Sequence, residues 1–166
     1  MREAVIFSFA HTPIGKAYRG VFNDTSAQAL AGHVIHHAVT RAGVEPERID
    51  DVILGCAMQQ GSTHMNIARQ GAIRAGLPTS IAGMSVDRQC SSGLMATAIV
   101  AKQILVDGQS IAVSGGGESI SLVLWCKLVA STHRSAQELY ADHAARTAFQ
   151  ISGAVLSLMR SFPSLN

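Results

Sequence analysis

The sequence has little charge and no long apolar run, and each absence excludes a class of protein. Charged residues make up 14% of the 166 residues, and 13 Lys and Arg oppose 11 Asp and Glu. Because no basic run occurs, and no basic residues alternate with aromatic ones, the sequence offers nothing to attract a nucleic acid. No apolar run is long enough to span a membrane, and the apolar stretch near Met1 is too short for a signal peptide. Hydrophobic residues still reach 48%, which is enough to fill the core of one domain.

Cysteine is also scarce. The chain has three cysteines, Cys56, Cys90 and Cys126, and no CxxC pair, so we predict neither a zinc site nor thioredoxin-like chemistry. An odd number of thiols without a disulfide framework favours reduced cysteines and a cytoplasmic location. Cys56 and Cys126 have no helix start beside them, and we predict that they are core thiols.

Apolar runs alternate with helical patterns along the first three quarters of the chain. Short runs rich in β-branched residues predict strands, and apolar residues at helical spacing, bounded by Ser, Asn or Gly, predict helices. The strands are apolar throughout rather than on alternate residues, which is typical of a mostly parallel sheet covered by helices. We therefore predict an α/β fold. The predicted strands cover 3–9, 51–57, 81–89 and 110–119, and the predicted helices cover about 27–42, 66–76 and 91–108.

The segment after about residue 124 has a different pattern, and the alternation of strands and helices stops there. Apolar residues at helical spacing predict a helix from about 135 to 162, although a Ser-Gly pair would weaken its middle. We therefore predict an atypical, helical tail over 125–166. The apolar residues at this spacing are Ala144, Ala148, Ile151, Val155, Leu158, Met159 and Phe162.

Cys90 lies where the third predicted strand meets the third predicted helix, in the stretch SVDRQCSSGLMA (85–96). In a parallel α/β sheet this is the carboxyl end of a strand, where sites usually lie. The free N–H groups of a first helical turn stabilise a thiolate and can hold the oxyanion of a tetrahedral intermediate. The small residues Ser91, Ser92 and Gly93 leave room for a substrate. The stretch therefore fits acyl transfer to Cys90, while a buried core thiol fits the spacing alone equally well.

The residues around Cys90 resemble those of the thiolase family, the acetyl-CoA C-acyltransferases. RQCSSGLMA is similar to the segment around that family's acyl-accepting cysteine. Four further stretches resemble family motifs in the same order, and the match covers about residues 1–124. These stretches are HTPIGKAYRG (11–20), VILGCAMQQG (52–61), NIARQGAIRAGLP (66–78) and AVSGGGESIS (112–121).

This resemblance implies a fold, a reaction and a substrate. The fold is the N-terminal half of the thiolase fold, an α/β layer that packs against a homologous second half. In the reaction, Cys90 accepts the acyl group of acetyl-CoA or of a 3-ketoacyl-CoA, and a second substrate then takes it. Coenzyme A thioesters are the substrates, no resident cofactor or metal is implied, and a homo-oligomer or association with a full-length relative is expected. A β-ketoacyl synthase, which would use an acyl-carrier protein, is the weaker alternative.

Two residues depart from the family pattern, and several family motifs are absent from residues 1–166. His11 stands where the family usually has Arg, and Asp87 where it usually has Asn. If Asp87 is close to Cys90, its charge would disfavour the thiolate.

The absent motifs belong to the family's second half. They are a Gly-His-Pro motif whose histidine activates the nucleophile, a second cysteine before a glycine run, and an Asn-containing motif. We therefore predict an incomplete N-terminal domain over 1–124, a divergent tail over 125–166 with a frameshift as one origin, and little or no turnover. The alternative is a non-catalytic remnant that acts as an interaction partner.

The remaining candidate residues have ordinary interpretations. His33 and His37 are spaced to share a metal on one helix face, but no third ligand is evident, so a solvated face is the better prediction. His64 has no role that the sequence indicates. The SGGGES stretch (114–119) predicts a tight turn at a strand end, with a close backbone approach beside the helix that follows Cys90, rather than a phosphate loop. Glu118 is predicted to anchor this turn by hydrogen bonds.

Overall fold

The computed structural model describes residues 2–123 and 151–163, and it confirms the strands and helices predicted within 2–123. In this part of the chain, no helix is both long and apolar enough to cross a membrane. A π-helical turn, Gln103–Asp107, extends α3. The elements in chain order are β1 (Arg2–His11), β2 (Gly15–Lys16), α1 (Ala27–Ala42), β3 (Asp51–Gly55), α2 (Ile67–Arg74), β4 (Ala82–Val86), α3 (Ser92–Lys102), β5 (Ile111–Glu118) and β6 (Ile151–Pro163).

The six strands form one sheet in the order β1-β6-β5-β3-β4, and the short β2 also pairs with β6. β3 is parallel to both β4 and β5, whereas β6 is antiparallel to both β5 and β1. The four strands predicted from the sequence therefore all point the same way. This confirms the α/β fold with a sheet covered by helices. The sheet is mixed, because β3 makes two parallel pairings and β6, the strand of opposite direction, makes three antiparallel ones.

Strand β6 corrects the predicted helical tail. Residues 151–163 form a strand, so the helix predicted from about 135 to 162 is wrong over its last part, and residues 135–150 lie outside the described residues. A strand covered on both faces is apolar on consecutive residues, and such a run also fits helical spacing. Leu158 and Met159 show this directly, because these neighbours are both buried and belong to different cores.

Helices cover both faces of the sheet. α1 and α2 pack on one face, where the core includes Val52 and Leu54 of β3. α3 packs on the other face, where the core includes Ile53. Alternate residues of β3 therefore point to opposite faces, as the geometry of a strand requires.

The ends of α1 follow its sequence signals. Ser26 Oγ accepts a hydrogen bond from the Ala29 N–H at 3.3 Å, which satisfies one free donor of the first turn. Gly43 has a φ of 61°, the left-handed conformation in which a glycine ends a helix. The boundary predicted at residue 124 stays a prediction, because residues 124–150 lie outside the described residues.

Candidate active site

Three parallel strands end at one edge of the sheet, and the candidate site lies there. Gly55, the last residue of β3, pairs in register with the last residue of β4 and with Gly116 of β5. Because the carboxyl ends of parallel strands meet at one edge, the residues at these ends are neighbours. They are Cys56 after β3, Cys90 after β4 and Glu118 at the end of β5.

Cys90 lies on a tight turn between β4 and α3. The residue before it, Gln89, has a φ of 51°, a conformation that costs a non-glycine residue about 1 kcal/mol or more. The carboxylate of Asp87 stabilises it, because Oδ1 accepts a hydrogen bond from the Gln89 N–H at 2.8 Å. Cys90 itself is exposed, so it is not the buried core thiol that the spacing alone allowed.

The two serines after Cys90 lock this turn. Ser92 Oγ accepts a hydrogen bond from the Arg88 N–H at 2.8 Å and donates one to the Gln89 carbonyl at 2.6 Å. Ser91 Oγ donates to the Arg88 carbonyl at 2.9 Å. Within the described residues, no side chain caps the start of α3, but the Ser92 N–H of its first turn already donates to the Gln89 carbonyl. The positive end of the α3 dipole still favours an anion beside this turn.

Glycines allow α3 to begin directly on the strand ends. A Cβ on Gly55 would lie 2.1 Å from the carbonyl carbon of Ser92, and a Cβ on Gly116 would lie 3.0 Å from the Cα of Gly93. The first turn of α3 can occupy this place because these positions carry no side chain. The turn predicted at 114–119 is wrong for its glycines, which lie inside β5. The predicted close approach of the backbone to the helix after Cys90 is confirmed.

Cys56, which is buried, and Glu118, which is partly buried, form a thiol–carboxylate pair at the same edge. Cys56 Sγ donates a hydrogen bond to Glu118 Oε2 at 3.5 Å. Glu118 Oε1 accepts one from the Ala57 N–H at 2.5 Å, and Oε2 accepts one from the Met58 N–H at 3.4 Å. Cys56 is fully buried, which confirms the predicted core thiol. Glu118 does anchor a loop, but it anchors the loop after β3 rather than its own strand end.

Burial changes how both groups of this pair ionise. The pKa of Cys56 is raised from 9.0 to about 12, mainly by burial and then by the charge and the hydrogen bond of Glu118. Hydrogen bonds with Thr63 and Met58 lower this pKa but do not offset the rise. The pKa of Glu118 is also raised, mainly by burial and further by the charge of Asp87. The hydrogen bonds that Glu118 accepts lower its pKa in part. Cys56 therefore stays a thiol at neutral pH, and the negative charge of Asp87 acts on Glu118.

The raised pKa of Cys56 predicts a loss of stability in alkali. The unfolded chain releases this proton above pH 9.0, whereas the folded chain keeps it until about pH 12. The folded state then binds more protons, so the free energy of unfolding falls as pH rises through this window, by at most about 1.4 kcal/mol per pH unit. Urea unfolding of the protein and of Cys56→Ala on both sides of pH 9.0 measures this slope. Equal slopes in the two proteins would contradict the prediction.

Comparison with known proteins identifies the family. Residues 4–156 match the family model described as the N-terminal domain of thiolase. The chain belongs to the thiolase family. It is 39% identical over 123 residues to the 3-ketoacyl-CoA thiolase of Bacillus subtilis (strain 168), and the aligned region covers 74% of this chain and 32% of that thiolase. It is 40% identical over 121 residues to the acetyl-CoA acetyltransferase of Cupriavidus necator, and the aligned region covers 73% of this chain and 30% of that protein.

A solved structure supports the same thiolase fold. The crystal structure of the Bacillus anthracis acetyl-CoA acetyltransferase superimposes with a TM-score of 0.69 at 37% identity, over 74% of this chain and 31% of that one. This chain spans about a third of the length of the thiolase relatives it matches.

The two departures from the thiolase pattern lie in different places. Asp87 lies in the Cys90 turn, where an Asn would offer the same acceptor oxygen to Gln89 without the negative charge. His11 ends β1, on the far side of the sheet from β4. Together with His33 and His37 it lines a separate surface groove of about 310 Å³.

The helical histidines confirm the predicted solvated face. His33 and His37 are exposed, and their ring centroids lie 4.4 Å apart. Among the described residues, no group of three or more metal-ligating side chains is placed to hold a metal ion. His64 is exposed as well, and its role stays open. Cys126, which was predicted to be a core thiol, lies outside the described residues, and so do two further histidines, His133 and His143.

Proposed function

We propose that these residues form the acyl-accepting site of a thiolase-type acyl-CoA C-acyltransferase, with Cys90 as the nucleophile. The observation that carries this proposal is the position of Cys90, which is exposed at the start of α3 on a turn held by Asp87 and Ser92. The names of the relatives, 3-ketoacyl-CoA thiolase and acetyl-CoA acetyltransferase, support an acyl-CoA thioester as the substrate.

The first proposed step transfers an acyl group to sulfur. The Cys90 thiolate attacks the thioester carbonyl carbon, a C–S bond forms, and the positive end of the α3 dipole stabilises the oxyanion. Collapse of this intermediate breaks the bond to the coenzyme A sulfur. Coenzyme A leaves as a thiolate and takes up the proton that Cys90 released, so the products are acyl-Cys90 and free coenzyme A.

The second proposed step removes the acyl group. Attack by the α-carbon of a second acyl-CoA gives a 3-ketoacyl-CoA, and attack by coenzyme A is the reverse direction, thiolysis. By the family resemblance, a histidine and a second cysteine move the protons in this step, and neither of their motifs occurs in residues 1–166. We therefore propose that this 166-residue chain accepts an acyl group slowly and completes few turnovers.

Free coenzyme A reports on the first step. On incubation with acetyl-CoA, the chain should release a single burst of coenzyme A that matches the amount of protein, with little release afterwards. Chromatography of free coenzyme A measures the burst. Cys90→Ser should abolish it, because a serine hydroxyl is not ionised near neutral pH, and Cys56→Ser should retain it. A burst of full size in Cys90→Ser would contradict the proposal, and sustained thiolysis of acetoacetyl-CoA would contradict the low turnover.

A reducing, cytoplasmic location and association with a second polypeptide belong to the same proposal. An exposed Cys90 must stay a free thiol to accept an acyl group, and a reducing compartment preserves it.

The outer face of α3 is apolar and exposed, with Leu94 75% accessible, and such a face favours contact with another chain. An interaction partner without activity of its own would use this face too.

A further inference from the structure

We propose that Glu118 is a positioning residue for the Cys90 site, because its carboxylate holds the loop after β3 beside the first turn of α3. This inference rests on the function proposed for Cys90. The loop concerned, residues 56–66, is named the β3 loop.

The β3 loop starts in contact with both elements that flank the Cys90 turn. Gly55, just before the loop, packs so closely on the backbone of Ser92 that no Cβ would fit between them. Cys56 donates its N–H to the carbonyl of Val86, the last residue of β4, at 2.9 Å. A shift of the loop start would therefore displace α3 or the end of β4, and Cys90 lies between the two.

Glu118 continues the pairing of the sheet where β3 stops. β3 ends at Gly55, whereas its neighbour β5 continues to Glu118. The Glu118 carboxylate accepts the N–H groups of Ala57 and Met58, which come just after the end of the β3 ladder. Because backbone N–H groups away from water need a partner, loss of this carboxylate would release the start of the β3 loop.

The far end of the β3 loop is held independently. Asn66 Nδ2 donates to the Gly83 carbonyl at 2.6 Å, and Asn66 Oδ1 accepts from the Arg69 N–H at 3.1 Å at the start of α2. A change at Glu118 is therefore expected to affect the end of the loop next to Cys90 and to leave α2 in place.

Electrostatic effects link Asp87, Glu118 and Cys56. Asp87 holds the Gln89 N–H in the Cys90 turn, and its charge contributes to the raised pKa of Glu118. The charge and hydrogen bond of Glu118 in turn contribute to the raised pKa of Cys56. The ionisation of Cys56 therefore reports on the Glu118 carboxylate, whether or not any reaction occurs at Cys90.

The first arm of the test is the pH profile of Cys56. Glu118→Gln keeps the size of the side chain and one acceptor oxygen but removes the charge, and the exposed Glu47→Gln is the matched control. Because Cys56 is fully buried, its ionisation is measured through the free energy of unfolding of the full chain, by urea unfolding at several pH values above 9.0. In Glu118→Gln the pKa of Cys56 should be lower than in the wild type, so the stability lost as pH rises above 9.0 should be smaller. The control should keep the wild-type profile.

The second arm follows Cys90. Glu118→Ala removes both acceptor oxygens and should slow acetylation of Cys90 by acetyl-CoA about tenfold. Alkylation of Cys90 by iodoacetamide should change little, because this small reagent reacts with an exposed thiol without a binding site that has to be held in place. Glu118→Gln keeps the proposal testable if Glu118→Ala does not fold, which circular dichroism checks.

The outcomes separate the two proposals. A wild-type Cys56 profile in Glu118→Gln would overturn the role of Glu118, and so would unchanged Cys90 acetylation in a folded Glu118→Ala. A wild-type chain that is never acetylated would instead contradict the function of Cys90. The Cys56 profile would then still show whether the Glu118 carboxylate lies against Cys56 at the start of the β3 loop.

Discussion

A chain that ends at residue 150 is expected not to fold, because it lacks a central strand of the sheet. β6 lies between β1 and β5 and pairs with β1 over residues 155–163 and with β5 over residues 153–160. Its removal would leave backbone groups of both neighbours without partners and take Leu158 and Met159 out of the two cores. Loss of one such side chain costs about 2–5 kcal/mol, in a domain whose net stability is about 5–15 kcal/mol. Far-UV circular dichroism and urea unfolding of 1–150 against 1–166 measure the effect.

Point variants within β6 give the same test in graded form. Leu158→Ala should destabilise the protein by about 2–5 kcal/mol, because Leu158 is fully buried. Arg160→Lys, at an exposed position of the same strand, should change stability by less than about 0.5 kcal/mol. A 1–150 chain with the same cooperative unfolding as 1–166 would show that β6 does not belong to the fold.

Gly55→Ala is expected to displace the first turn of α3 and, with it, the Cys90 turn. The added Cβ would lie 2.1 Å from the carbonyl carbon of Ser92, and a backbone contact cannot be relieved by turning a side chain. We expect a loss of about 3 kcal/mol or more in the free energy of unfolding. Acetylation of Cys90 should slow about a hundredfold, because the sulfur moves relative to the N–H groups of α3. Urea unfolding and the rate of acetyl transfer measure the two effects.

Gly43→Ala is the matched control for this substitution. Gly43 has a φ of 61° with nothing near its absent Cβ, so alanine there should cost only the strain of the left-handed conformation, about 1–2 kcal/mol. Cys90 acetylation should be unaffected, since Gly43 ends α1 at a distance in the fold from the Cys90 turn. Similar acetylation rates in Gly55→Ala and Gly43→Ala would contradict the close approach of α3 to β3.

The strands and helices of residues 2–123 could be predicted because local signals agree there. The buried strands are short apolar runs, and α1 is bounded by Ser26 and Gly43, which both act as caps. β6 could not be predicted, because a strand buried on both faces has no alternation to separate it from a helix. The place of β6 between β1 and β5 depends on contacts between residues far apart in the sequence, and the spacing of apolar residues within one segment does not predict such contacts.

The candidate site could likewise be predicted only in part from the sequence. The position of Cys90 at a strand-to-helix junction follows from the order of strand, small residues and helix in the sequence, but its exposure does not, because a buried thiol fits the same spacing. The contact of Cys56 with Glu118 does not, because these residues are 62 positions apart and meet only through the register of parallel neighbours β3 and β5. The glycines of β5 predicted both a turn and a close backbone approach beside the helix after Cys90. The approach is confirmed, whereas the turn is wrong because β5 continues through these glycines.

The position of the acetyl group after incubation with acetyl-CoA tests the central claim most directly. Trypsin places Cys90 on the peptide 89–102 and Cys56 on the peptide 49–69, so mass spectrometry of the digest separates the two thiols. We expect a single acetyl group, carried by the peptide 89–102 and absent from Cys90→Ser. An acetyl group on the peptide 49–69, or none on either peptide, would contradict the assignment of Cys90 as the acyl acceptor.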